Sequence, residues 1–286
     1  MAGDPRGFLK TKMKPAEYRP VCERVKDNCE VALLPRQEHS EEQAFRCMDC
    51  GTPFCHWGCP LGNYIPEWNE LICQGQWKKA AELLDATNNL PEITGRLCPA
   101  PCEYACVLGI NDDAVTIREN ELAIIENGLK VGIIKAILPE RRTGKKIAVI
   151  GSGPAGLSCA AQLNRAGHSV SVFEKDDKPG GILRYGIPDF KLEKCVIDRR
   201  IKLLQEEGIR FVTGVNVGLD FSSQRLLNEF DAICLAGGSR VARDLKIEGR
   251  ELKGIHFAMD YLTQANKAAA GEKISAEKLI DGSTSS

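Results

Sequence analysis

The residues best suited to chemistry in this chain are its cysteines. Cys47, Cys50, Cys55 and Cys59 stand with two, four and three residues between them, and Pro60 follows the last. A second group, Cys98, Cys102 and Cys106, has three residues in each gap and encloses Pro99 and Pro101. Thiolates at these spacings, on loops where proline limits helix formation, can converge on one small volume while nearby amides hydrogen-bond the sulfurs. The first group is close to the ferredoxin run, in which three cysteines hold one iron-sulfur cluster and a fourth, followed by proline, ligates another. Two four-iron clusters take about eight ligands, and these groups supply seven cysteines. Cys73, His56, Glu119 and Glu121 are the candidates for the remaining ligand, and spacing alone does not choose among them. Zinc held by four thiolates is the competing metal reading. Cys22, Cys29, Cys159, Cys195 and Cys234 stand singly and read as small buried hydrophobes.

Glycine carries the second pattern. Gly151-Ser152-Gly153-Pro154-Ala155-Gly156 directly follows a predicted strand, KKIAVI, and opens a predicted helix, PAGLSCAAQLNRAG. In that context the first glycine permits the tight turn, the second lets backbone approach a pyrophosphate, and the third lets helix pack on strand. The helix N-terminus then faces the phosphates. Glu174 ends the next predicted strand, SVSVFEK, where a carboxylate accepts from a ribose and repels a 2′-phosphate. The site therefore favours FAD or NAD over NADP. Pro179-Gly180-Gly181 and Ala236-Gly237-Gly238 are two further loops where backbone could approach a ligand, and no second Gly-x-Gly-x-x-Gly follows Gly156.

These side chains need scaffolds of two kinds. The 286 residues suggest about two domains, and LPERRTGKK, Leu138 to Lys146, reads as the connector. Residues 1–140 form an α-helical iron-sulfur domain in this reading, with helices through WKKAAELLDATNN and through VTIRENELAIIENGLK, the latter ending near Gly128, and Pro- and Cys-rich loops between them. Residues 141–286 form an α/β Rossmann-like domain: a βαβ unit, a helix through KCVIDRRIKLLQEEG, and strands at IRFVTG and DAICLAGG. The polar tail DGSTSS is expected to be disordered. Basic and acidic side chains number 38 and 39, which leaves no electrostatic footprint for nucleic acid. No apolar run is long enough for a membrane span, and no leader pattern opens the chain. A cytoplasmic setting, where thiols stay reduced, is expected.

CMDCGTPFCHWGCPLGNYIPEWN, TGRLCPAPCEYACVLGINDDAVTI and GSGPAGLSCAAQLNRAGHSVSVFEK closely resemble the small (beta) subunit family of glutamate synthase, from about Gly7 to about Ile274. Related architectures occur in the N-terminal part of dihydropyrimidine dehydrogenase and in transhydrogenase flavoproteins. The resemblance implies a double ferredoxin-like domain, with one 4Fe–4S cluster on Cys47, Cys50, Cys55 and Cys106 and the other on Cys59, Cys98, Cys102 and Glu121. It further implies FAD on the Gly151–Gly156 loop and Glu174, with Gly181, Leu183 and Gly186, in the stretch Gly180 to Pro188, approaching the flavin. Electrons would pass from NAD(P)H through FAD and both clusters to a large (alpha) subunit, where glutamine and 2-oxoglutarate become glutamate. Such a relay needs no catalytic acid, base or nucleophile. Family members continue into a second Gly-rich fingerprint for NAD(P)H, so this chain is expected to be truncated before that portion. A cluster-bearing docking module that does not turn over NAD(P)H is the rival expectation.

Overall fold

The computed structural model describes residues 4–274 and 279–280, so the DGSTSS tail lies outside the described residues. The chain divides between Lys135 and Ala136 into two compact units.

In the first unit the described residues form helices and loops, with an isolated bridge between Tyr18 and Ala32 as the one trace of β pairing. Helix Trp77–Thr87 buries Trp77, Ala80, Ala81 and Leu84, an i, i+3, i+4, i+7 stripe. Helix Ile65–Cys73 begins with Pro66 in its first turn and buries Ile65, Trp68, Asn69 and Ile72. Helix Ile117–Lys130 joins them through Ile117, Ile124 and Ile125, each almost wholly enclosed. It runs past Gly128, where the sequence suggested an end. A Cβ at Gly128 would lie 2.9 Å from Ile134 Cγ1 and 3.3 Å from Ala81 Cβ, so this glycine serves packing rather than termination. The segment between the two long helices, expected as loops, contains the short helices Pro91–Leu97 and Pro101–Tyr104, each with proline in its first turn.

The second unit is an α/β layer structure with a four-stranded parallel sheet: β1 Lys146–Ile150, β2 Ser169–Phe173, β3 Arg210–Val212 and β4 Ala232–Leu235. The strand order is β3-β2-β1-β4. Ala148 stands opposite Ser171 on one side and Ile233 on the other. Helix Pro154–Arg165 buries Leu157, Ala160 and Ala161, and helix Lys194–Glu206 buries Val196, Ile197, Ile201 and Leu204. The order reverses at β1, so the crevice beyond the carboxyl ends of β1 and β4 is the topological switch point where such sheets bind ligands. The expected fold class, a helical iron-sulfur domain followed by a Rossmann-like one, is the fold found. No helix among the described residues is long and apolar enough to cross a membrane.

Candidate functional site

The two cysteine loops of the first unit share a local device. Asp49, two residues after Cys47, and Ala100, two residues after Cys98, are the non-glycine residues at positive φ among the described residues, at 49° and 57°. That region is costly for a side-chain-bearing residue and persists where the surroundings fix it. In the second loop the turn aims an amide at sulfur, Ala100 N–H donating to Cys98 Sγ at 3.4 Å, and in the first the Asp49 backbone lowers the Cys47 thiol against the rise that burial causes.

Missing side chains let the loops meet. A Cβ at Gly58 would sit 2.6 Å from Ala105 Cβ and 3.5 Å from Cys102 Cα, so Gly58 allows helix Phe54–Gly58, bearing Cys55 and ending at Cys59, to lie on the Cys102–Cys106 segment. Gly95 does the same for helix Pro91–Leu97, which ends at Cys98: a Cβ there would lie 2.9 Å from Leu122 Cβ on helix Ile117–Lys130. From the other side, fully buried Arg46 donates to the carbonyls of Asp113 at 2.7 Å and Ala114 at 2.8 Å, anchoring the first loop beside the segment after Cys106.

Two groups of side chains result. Burial pushes the Cys47 thiol up to about 12, and the neighbouring Cys55 and Cys106 add to the rise. Cys55 is pushed up to about 11 by burial, then by Cys106 and Cys50. Cys50 is raised by burial and by Cys106. Cys47, Cys50, Cys55 and Cys106 therefore feel one another's charge. Cys102 is raised by burial, then by Glu103, Cys59, Glu121 and Cys98, which gathers the second group. Glu121, 7% exposed, is pushed up to about 7 by burial. Its Oε1 accepts from Thr94 Oγ1 and from Asn88 Nδ2, the latter at 3.2 Å.

The other candidates for the remaining ligand are engaged elsewhere. Glu119 Oε2 accepts the Ala16 amide at 2.8 Å, His56 Nδ1 meets the Asn63 carbonyl at 3.0 Å, and buried Cys73 lies 3.8 Å from the Glu41 carbonyl. Among the described residues no three His, Cys, Asp or Glu side chains gather tightly enough to hold a single metal ion. The sequence reading of the lone cysteines needs correction: Cys22, Cys29 and Cys195 are exposed, because each sits on a surface turn or helix face rather than on a core stripe. Cys159 and Cys234 are half-buried, with sulfurs 3.4 Å apart.

In the second unit the glycine loop separates its three tasks. Gly151 adopts φ +103°, and a Cβ there would lie 2.4 Å from the Ala236 carbonyl. Gly153 precedes the helix at φ −66° and ψ 178°, and a Cβ there would meet nothing within 4 Å. Gly156 is closed: its Cβ would lie 2.0 Å from the Gly151 carbonyl. The open glycine is thus the one beside the helix N-terminus, with Pro154 and Ala155 exposed next to it. Gly181, at φ +52°, packs on Gly153, and a Cβ there would be 2.9 Å from Gly153 Cα.

Glu174, immediately after β2, is 3% exposed. Its Oε2 accepts from the Ser152 amide at 3.0 Å and from Ser152 Oγ, and its Oε1 accepts the Asp176 amide at 3.0 Å. Ser152 Oγ in turn accepts from the Gly180 amide at 2.9 Å, so one buried network ties the glycine loop to Pro179-Gly180-Gly181. A carboxylate has about four lone-pair sites, which leaves Glu174 acceptor capacity beyond these bonds. Leu183 and Gly186 are buried, Gly186 against Ile182 and Met259, so their side-chain positions belong to the packing of helix Ile182–Tyr185.

Comparison with known proteins follows the same division. A family profile described as dihydropyrimidine dehydrogenase domain II, 4Fe-4S cluster, matches residues 24–132, and one described as an NAD(P)-binding Rossmann-like domain matches residues 149–204. The NADPH glutamate synthase small chain of Mycobacterium tuberculosis is 54% identical over 272 residues, covering 95% of this chain and 56% of that protein. The corresponding small chain of Bacillus subtilis is 51% identical over 289 residues, covering 98% and 58%. The NADH glutamate synthase of Saccharomyces cerevisiae is 49% identical over 284 residues, covering 96% of this chain and 13% of that protein. The chain spans a little over half the length of the bacterial small chains it matches. By sequence and by the order of its two units, the chain is similar over nearly its whole length to a little over half of the glutamate synthase small chains.

Proposed function

We propose that this chain is an electron-relaying oxidoreductase component of a glutamate synthase. One 4Fe–4S cluster is held by Cys47, Cys50, Cys55 and Cys106, a second by Cys59, Cys98, Cys102 and Glu121, and FAD by the Gly151–Gly156 loop. When bound, these groups supply one- and two-electron transfer between NAD(P)H and the site of glutamate formation from glutamine and 2-oxoglutarate. The observation that carries the reading is the pair of strained turns at Asp49 and Ala100, two residues after Cys47 and Cys98, the second of which donates its amide to sulfur.

The protein's own work in this scheme is positional. Gly58 and Gly95 let the ligand-bearing segments close, Thr94 and Asn88 hold the Glu121 carboxylate, and the Ala100 amide donates to the Cys98 sulfur. At the glycine loop, Gly153 leaves room for a pyrophosphate, while Ser152 and Glu174 hold the loop against Gly180. The resemblance to the small chains supports FAD as the occupant of this loop. The partner is the large subunit implied by the relatives' description as small chains. The yeast match, in which the same stretch lies within one much longer polypeptide, supports a working association of that kind. A cytoplasmic setting agrees with reduced thiols.

Anaerobic reconstitution of the full chain, followed by iron, sulfide, zinc and flavin analysis, tests the reading. About eight irons and eight sulfides per chain, with stoichiometric FAD, is the expected result. Zinc without sulfide overturns it. NAD(P)H-dependent dye reduction by the loaded protein then separates a working relay from a docking module, which would show none.

A further inference from the structure

Asn69 lies on helix Ile65–Cys73 and is fully buried, yet its Nδ2 has no hydrogen-bond partner. A primary amide left this way inside a core is expensive unless a ligand completes it. Its orientation is fixed. Asn120, 1% exposed on helix Ile117–Lys130, donates through Nδ2 to Asn69 Oδ1 at 2.9 Å, which commits the oxygen and leaves the NH2 group for another acceptor. Cys47 packs against the core that contains Ile65, Trp68 and Ile72 of this helix and lines one cavity with its Pro66, Glu70 and Cys73, and the Asn69 side chain acts on the Cys47 thiol against the rise that burial causes. A neutral thiol is a weak acceptor, but a thiolate bound to iron accepts N–H···S bonds, and such bonds help set a cluster's potential.

We propose that Asn69 is a potential-tuning residue: held by Asn120, it donates an N–H···S hydrogen bond to the Cys47 ligand sulfur and raises the reduction potential of that cluster relative to its neighbour. The proposal rests on the cluster assignment above. The positive end of an N–H dipole stabilises the more negative, reduced state, so the bond favours electron uptake. The other group has the opposite character, because Glu121 brings a carboxylate to bear on Cys102. Asn120 and Glu121 are consecutive residues of one helix, so a single turn delivers an amide-held donor to one group and an anion to the other. The arrangement creates a downhill direction, from the Glu121 group towards the Cys47 group.

The experiment is a redox titration, followed by electron paramagnetic resonance, of the reconstituted full chain and two variants. Asn69→Leu keeps the volume and removes the donor. Asn69→Leu/Asn120→Leu removes both amides, so no buried partner is stranded if the single variant folds poorly. The expected result is unchanged iron and sulfide content, one midpoint shifted to more negative potential in both variants, and the other midpoint unmoved. Two unmoved midpoints, two midpoints shifted together, or loss of iron from both variants would each make Asn69 a packing residue and overturn the proposal alone. Absence of iron and sulfide from the unaltered chain would overturn the cluster assignment and this proposal with it.

Discussion

The cysteine-bearing unit holds its candidate site with side chains that are present, whereas the glycine-bearing unit shapes its site with side chains that are missing. In the first, Arg46, Thr94 and Asn88 make the hydrogen bonds that position the first cysteine loop and Glu121, and glycine only lets segments approach. In the second, the loop's working surface is backbone, and the space at Gly151, Gly153, Gly156 and Gly181 decides what is open and what is closed. The difference reflects the ligands. A cluster is bonded to the protein through thiolates delivered from distant segments, while a pyrophosphate is cradled by consecutive amides at one helix N-terminus. Adding atoms should therefore break the second unit most readily, and removing polar atoms the first.

The largest effect is expected from the smallest added group. Gly156→Ala places a methyl 2.0 Å from the Gly151 carbonyl, which belongs to backbone and cannot swing aside. Separation of the helix from the strand should cost about 3 kcal/mol. Hydrogen exchange should show lost protection in β1 and helix Pro154–Arg165 while helices Ile65–Cys73 and Ile117–Lys130 stay protected. A uniform loss across both units would dissolve the contrast.

Arg46→Met is the matching removal in the first unit. It deletes a wholly buried guanidinium that serves carbonyls of residues 113 and 114. Hydrogen bonds from a charged donor are each worth about 1.5–3 kcal/mol, but these acceptors are partly accessible to water, so a net loss of about 2 kcal/mol is expected in denaturant unfolding of the first unit. Unchanged unfolding would show that packing by the aliphatic stem alone positions the Cys47 loop.

How much of this could be read beforehand follows the same contrast. The glycine loop is contiguous, so the three roles assigned to Gly151, Gly153 and Gly156 from their order match the positive φ, the open space and the close contact found there. The βαβ unit, helix Lys194–Glu206 and strands β3 and β4 also follow from period and punctuation, whereas helices Ile182–Tyr185, Ser223–Glu229 and Ala258–Ala269 were not expected. The cysteines were legible as a type and a count, yet their grouping depends on contacts that no local spacing contains. Glu121 stands out from Glu119 only once Gly95 has brought helix Pro91–Leu97 against it. Arg46 and Asn69 left no signal, because the bonds of Arg46 to residues 113 and 114 and of Asn69 to Asn120 span 51 to 68 positions and end in loops and helices with patterns of their own. Ala100 was invisible for another reason, since alanine does not favour positive φ, and Asp49 carried only the mild left-handed preference of aspartate. Glu174 was found by its position after β2, but not its bonds to Ser152, which need the loop folded.

A smaller effect sharpens the role of polar side chains in the first unit. Thr94→Val keeps the shape and removes one of two donors to the Glu121 carboxylate, leaving Asn88 at 3.2 Å. A cost of about 1 kcal/mol is expected. Because the remaining donor holds the carboxylate less firmly, iron loss to a chelator should be faster at the group containing Cys102 than at the group containing Cys47. Equal acceleration at both would mean that Thr94 supports the helix pair and not the carboxylate.

The smallest effect on stability is the most discriminating. Gly153 has an ordinary φ of −66° and open space where a Cβ would stand, so the protein itself places no demand for glycine there. Gly153→Ala should change stability by less than about 0.5 kcal/mol, as for a surface substitution away from strain. The methyl group would nevertheless stand where a pyrophosphate must approach the backbone, so FAD titration should show at least a tenfold weakening, about 1.4 kcal/mol. Measured beside Gly156→Ala, the pair separates a glycine required by the fold from a glycine required by the ligand. If Gly153→Ala binds FAD as well as the unaltered loop, the open space serves neither, and the phosphate lies elsewhere along the crevice between β1 and β4.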